Sequence, residues 1–150
     1  MAMSATRQFC TFYLDRLLFG VESQKIQEVI RSLELSAVPL APAAFGGLVN
    51  LRGQIVSALD LRRRLLLERR PENKPSMCVV VRTSEGTISL LVDEIGDVVE
   101  VEENSFEPLP ETVQGELRNV ILGVHKLDKQ LMHLLDTERV CAITESETAG

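Results

Sequence analysis

Gly47-Leu48-Val49-Asn50-Leu51-Arg52-Gly53-Gln54-Ile55-Val56-Ser57-Ala58-Leu59-Asp60-Leu61 holds two apolar runs on either side of an Arg-Gly break. Gly53 supplies the positive φ of a tight turn, so the segment reads as a β-hairpin. Asp60 is placed to cap a short helix running to Leu66, with Leu61 and Leu65 facing inward and Arg62, Arg63 and Arg64 outward. Arg52 sits at the hairpin tip, where it is either a solvated turn residue or the partner of a carboxylate from another element. Glu28, in the polar gap between Ile26 and Val29, is the candidate partner. Such a pair positions two segments more than it stabilises them, since exposed ion pairs are worth about 0–1 kcal/mol.

Upstream, Phe9–Leu14 and Leu17–Val21 flank Asp15-Arg16 and read as an opening hairpin. Ser23 is a possible cap for a short helix through Ile26 and Val29, whose three-residue spacing lies on one helical face. Pro39 and Pro42 exclude a central strand between Ser36 and Pro42. Pro42 opens one helical turn through Phe45, which Gly46-Gly47 ends. Downstream, a polar loop over 68–76 divides the chain.

The second half then repeats the plan. Cys78–Val81 and Thr87–Val92 flank Ser84-Glu85-Gly86. Gly96–Val101 is a further strand, with Val99 and Val101 on one side and Glu100 and Glu102 on the other. After Pro108 and Pro110, Val120–Val124 and Leu131–Leu135 form a last hairpin, and Asp136 caps a final short helix. Ile55–Leu61 parallels Leu131–Thr137, a weak internal repeat. Many short strands with turn punctuation indicate antiparallel β structure. The reading is a mainly β chain built as two small barrels with short helices, one per half, over 8–70 and 76–143, with strand exchange between them allowed. Their joint is a natural place for an apolar groove.

The 150 residues suffice for one domain, and 45% hydrophobic with 25% charged residues excludes a disordered or fibrous chain. No apolar run approaches the ~18 residues of a membrane span, and the N-terminus lacks a signal-peptide stretch, so the reading is cytoplasmic. A net charge of −6 argues against general affinity for nucleic acid or anionic lipid. The charge is uneven: Arg52 to Lys74 holds seven basic residues, while Thr83 to Leu117 holds ten carboxylates and no Lys or Arg. Two solvated faces, or a polarised docking surface, would both give this pattern. Cys10, Cys78 and Cys141 contain no C-x-x-C pair and read as neither disulfides nor a zinc site, with Cys10 and Cys78 as small buried hydrophobes.

Catalytic chemistry is not legible. There is no G-x-S-x-G, P-loop or G-x-G-x-x-G, and the two histidines, His125 and His133, lie diagonally on one hairpin without a firm third ligand beyond Asp136. Neighbouring carboxylates such as Asp93-Glu94 point to opposite strand faces. The reading is therefore a non-enzyme without cofactor or metal.

The Gly47–Leu61 segment resembles the hallmark G-V-x-N-L-R-G-x-I-V-P-V-x-D-L run of the CheW family of bacterial chemotaxis coupling proteins. Lys25–Ile30 is similar to that family's K-V-x-E-I segment, Val38-Pro39 with Phe45-Gly46-Gly47 to its approach to the hallmark, and Val92–Val98 to its V-D-x-V-x-D-V stretch. The resemblance implies two five-stranded SH3-like β-barrels with a hydrophobic groove between them. It implies a non-catalytic adaptor that joins the regulatory domain of a CheA-type histidine kinase to the cytoplasmic helical tips of chemoreceptors, at membrane-associated arrays. By matching positions it assigns partner binding to Ile26, Glu28, Gly47, Leu48, Asn50, Leu51, Arg52 and Gly53, with a receptor helix laid into the groove. Ser57 stands where the family usually has proline, His125 stands where small residues are common, and Glu100–Glu107 is unusually acidic. The alternative is a regulator that holds a small ligand in the groove between the barrels.

Overall fold

The structure is a computed structural model and describes residues 5–33, 45–51, 53–65, 76–84, 86–113 and 115–142. Strands β1 (Thr6–Leu14) and β2 (Leu17–Glu22) form the opening hairpin, turned by Asp15 at φ 58°. A 3-10 turn over Ser23–Lys25 leads to β3 (Ile26–Leu33). The hallmark hairpin is β4 (Phe45–Leu51) and β5 (Gln54–Asp60), followed by α1 (Leu61–Arg64). The second half supplies β6 (Ser76–Thr83), β7 (Gly86–Val92) and β8 (Glu94–Glu102). It continues with a 3-10 turn over Glu103–Ser105, the two-residue β9 (Phe106–Glu107) and α2 (Glu116–Val120). β10 (Ile121–Lys126), β11 (Leu131–Leu135) and α3 (Thr137–Cys141) close the chain.

The strands form two curled sheets, in the orders β8-β1-β2-β11-β10-β9 and β3-β6-β7-β5-β4. Neither sheet is built from one half. Hairpin β1–β2 is completed by β8 and by β11, which runs parallel to β2, and hairpin β6–β7 is completed by β3 and by β5, which runs parallel to β7. The arrangement of one barrel per half is thus replaced by reciprocal strand exchange. The cause is local: after each hairpin the chain departs to the other sheet, and β3 and β8 pair there.

The helix expected through Ile26 and Val29 is a strand. Ile26 lies opposite Val81 and Val29 opposite Val79, so three steps on β3 match two on β6. A β-bulge at Gln27 absorbs the extra residue and returns both side chains to one sheet face. A three-residue apolar spacing has two physical solutions, and here sheet pairing selects the second. Phe45 likewise opens β4 instead of ending a helical turn. Pro42 and the loop over 68–75 lie outside the described residues.

Three cores follow from the strand faces. The largest lies between the sheets and gathers Phe12, Leu14, Phe19, Val79, Val81, Leu90, Leu61 and Val140 among others. A smaller one fills the second sheet with Val49, Leu51, Val56, Ala58, Cys78, Val80 and Leu91. A third fills the first sheet with Phe9, Leu18, Met132 and Leu134. β6 lies between two of these cores, which is why Cys78-Val79-Val80-Val81 is an unbroken apolar run instead of an alternating one. Gly20 leaves room for Met132 to cross β2; a Cβ there would sit 2.6 Å from the Met132 sulfur, which would have to shift. Cys10 is half-buried, with its sulfur 3.7 Å from Ser23 Oγ, and is less enclosed than its apolar neighbours suggest.

Helix α1 differs from expectation on its polar side. Asp60 caps it by accepting from the Arg63 amide at 3.3 Å, and Leu61 and Leu65 are buried. Arg62 and Arg64, however, do not point into solvent. Arg62 grips Asp93 through two hydrogen bonds, Nε to Oδ1 at 2.7 Å and Nη2 to Oδ2, and Asp93 also accepts from the Asp15 amide at 2.7 Å. Arg64 binds Glu116 at 2.6 Å and donates to the carbonyls of Val140 and Arg139. A four-residue helix packed between two sheets has neighbours on both flanks, so two of its three arginines become ties between elements.

Candidate partner-binding site

Five of the eight matched positions, Gly47, Leu48, Asn50, Leu51 and Gly53, are described on one hairpin. In it Asn50 Oδ1 accepts from the Gly53 amide at 2.9 Å, and Gly53 takes φ 92°, the left-handed conformation that glycine adopts without penalty. The asparagine and the glycine therefore build the turn. Leu51 is buried in the second core, and Gly47 is buried beside a register shift at φ 134°. Leu48 is half-buried opposite the exposed Ser57, and Ile55 next to it is 58% exposed. Arg52, with the candidate pairing to Glu28, lies outside the described residues.

Ile26 and Glu28 sit on β3, at the opposite edge of the sheet from β4. The curl still turns both edges toward one core, since Ile30 of β3 packs on the cluster that contains Val49 and Leu51. Glu28 lies opposite Val80, on the Ile30 side of the strand, with its side chain half-buried. Burial pushes the nearby Cys78 thiol up to about 11, with Glu28 adding to the effect, so this cysteine stays protonated and inert.

Two neighbouring cavities open on the first sheet. A cleft of about 390 Å³ is lined by Phe9, Phe106, Leu122, Leu134, Arg7 and His125, with Glu22 and Glu103. Arg7 donates to Glu103 at 2.6 Å and to Glu22 at 2.8 Å, and the Glu103 hydrogen bond is the main cause that raises its pKa. A polar neighbour of about 470 Å³ shares Arg7, Glu22 and Glu103 and adds Glu100. Nothing in the sequence placed these residues together; the acidic run with Phe106 inside it was the available signal.

The two histidines part ways. His125 lies opposite Met132 and His133 opposite Val124, so their side chains leave the hairpin on opposite faces and cannot share a ligand. His125 bonds Ser105 Oγ at 2.8 Å, and His133 bonds the Leu18 carbonyl at 2.9 Å. Among the described residues no group of three or more His, Cys, Asp or Glu is placed to hold a metal.

A family model described as the CheW-like domain matches residues 8–145. The chain belongs to the CheW-like domain family. This CheW-like chain is 27% identical over 143 residues to a probable chemotaxis protein CheW of Rhizobium etli, covering 95% of the chain and 92% of the relative. It is 24% identical over 133 residues to the chemotaxis protein CheW of Helicobacter pylori, covering 89% and 80%. Its fold matches the crystal structure of the scaffolding protein TtCheW from Thermoanaerobacter tengcongensis with a TM-score of 0.85 at 24% identity, covering 95% and 97% of the two chains. The likeness extends over both exchanged sheets of the CheW-like domain, so the two curled sheets correspond to SH3-like barrels.

Proposed function

We propose that the chain is a non-catalytic adaptor that couples chemoreceptors to a CheA-type histidine kinase in chemotaxis or a related chemosensory pathway. The observation that carries this reading is the family match over residues 8–145, supported by relatives that bear the name chemotaxis protein and are matched over 92% and 80% of their length. The partners are the regulatory domain of the kinase and the helical tip of a receptor. The surface we assign to them is the hallmark hairpin and the facing edge of β3: Ile26, Glu28, Gly47, Leu48, Asn50, Leu51, Arg52 and Gly53. Within it Leu51, Gly47 and Gly53 hold backbone shape, and Glu28, Leu48 and Arg52 supply the contacts. Among the described residues no helix is long and apolar enough to cross a membrane, which agrees with a cytoplasmic place at receptor arrays.

Calorimetry with the regulatory domain of a CheA-type kinase from the same organism tests the reading, with Arg52→Ala alongside. Saturable one-to-one binding is expected, weakened in the variant. Absence of binding to both the kinase domain and a receptor helical hairpin would overturn the adaptor role. Full binding by Arg52→Ala would move the contact away from the hairpin tip. A regulator that holds a small ligand in the joint between the sheets is not favoured, because the family and its relatives are named for chemotaxis.

A further inference from the structure

The cleft on the first sheet has its own chemistry, separate from the hallmark hairpin. His125 at its floor is only 2% exposed. Ser105 Oγ donates its one hydrogen to the Glu102 carbonyl at 2.8 Å, so at its 2.8 Å contact with His125 it must accept. His125 Nδ1 therefore carries the ring proton and Nε2 presents a lone pair. No described residue hydrogen-bonds Nε2, and the ring lines the cleft. Burial and the positive charge of Arg7 lower the His125 pKa, which keeps the ring neutral.

Of the other polar side chains in the lining, Arg7 is a donor, and Glu22 and Glu103 are acceptors. Glu22 and Glu103 each give one oxygen to Arg7 and keep the other, and Glu100 joins them in the adjoining cavity. Two carboxylates against one arginine leave the cleft negative, Glu100 adds to this from the adjoining cavity, and Lys126 is already paired with Glu107 at 3.6 Å. The walls are apolar: Phe9 and Phe106 approach the His125 ring at 5.7 and 5.6 Å between centroids, and Leu134 lies beside them. Phe106 and Leu122 extend this wall onto the surface, at 44% and 56% exposure. Apart from Arg7, which both glutamates hold, the polar side chains of the lining offer acceptors and no positive charge, and the rim offers apolar landing for what flanks a cation.

We propose that this cleft is a second interaction site, which takes a lysine or arginine side chain of a partner protein, its donor group reaching His125 Nε2 and the glutamates, with apolar neighbours resting on Phe106 and Leu122. The exposed rim favours a protein segment over a free amine, which would leave Phe106 and Leu122 uncovered.

Amide NMR titration of the full chain tests this with the peptide acetyl-Leu-Lys-Leu-amide, its norleucine and glutamate analogues, and n-butylamine. The lysine peptide is expected to shift the amides of Phe106, Leu122 and His125 saturably, and to bind at least about tenfold more tightly than the norleucine analogue, as a charge-assisted hydrogen bond would give. Leu122→Ser and Glu103→Gln, both at exposed positions that leave the cores intact, are each expected to weaken the lysine peptide. Equal binding of the norleucine or glutamate analogue, shifts confined elsewhere, lack of saturation, or indifference to both variants would overturn the proposal. Butylamine binding as tightly as the peptide would overturn the assignment to a partner protein.

Discussion

His125 couples the acidic cleft to pH. Its pKa is lowered in the folded chain, so as pH falls the unfolded chain takes up the proton first. The stability contributed by the neutral ring is present in full above the ordinary histidine value and is lost as pH falls through the lowered folded value. The groups that face it are Arg7 from β1, Glu22 from β2, and Glu103 and Ser105 from the 3-10 turn. Melting temperatures between about pH 7.5 and about pH 5.5 should fall more steeply for the native chain than for His125→Gln. Parallel profiles would show that the ring titrates as it does when unfolded. Gly123 makes a second prediction at this scale. A Cβ there would run into the Phe106 ring and lie 2.6 Å from the Glu107 carbonyl, and backbone cannot yield as a flexible side chain does. Gly123→Ala should cost about 1–3 kcal/mol in urea unfolding, while Leu122→Ala on the exposed side stays within about 0.5 kcal/mol.

At the scale of elements, the two short helices are copies of one device. Asp60 accepts from the Arg63 amide and Asp136 from the Arg139 amide, each at the end of a strand that runs parallel to a hairpin. Replacing either aspartate by alanine should cost about 1 kcal/mol, by denaturant unfolding, and the two losses should add. This device was readable in the sequence, because an aspartate after an apolar strand and before a leucine or threonine has few other uses. The hairpins were readable too, since Asp15-Arg16, Arg52-Gly53 and Ser84-Glu85-Gly86 punctuate apolar runs. β3 was not: its bulge gave Ile26 and Val29 helical spacing, and only the partner strand Val79–Val81 decides between the two geometries. Helix α2 was missed because Glu116–Val120 is a single turn with one buried residue, too short to show a period. The inward fate of Arg62 and Arg64 was equally hidden, since their partners Asp93 and Glu116 are distant in sequence. At the site, the residue identities of the hallmark were legible, and the hydrogen bond from the Gly53 amide to the Asn50 side chain that shapes its turn was not.

For the whole molecule, reciprocal exchange makes the halves interdependent. A fragment ending at residue 70 would carry β1 and β2 without β8 or β11, and β3 without β6. It should be unfolded alone by circular dichroism and amide dispersion, and so should the fragment that begins at residue 71. Mixed at equal concentration, they should assemble into a folded pair with the native spectrum. A fragment that folds alone would show that one sheet is stable without exchange. The same topology fixes an order of events during synthesis. The hairpin β1–β2 leaves the ribosome early, yet its parallel neighbour β11 follows roughly a hundred residues later, about 5–20 s at the usual pace of translation. Both flanks of the hairpin are open strand edges until β8 emerges to cover β1, and the β2 edge, which carries Phe19, stays open until β11 follows, the kind of surface that recruits the wrong partner. The exchange that locks the finished fold thus makes the nascent chain a client for chaperones.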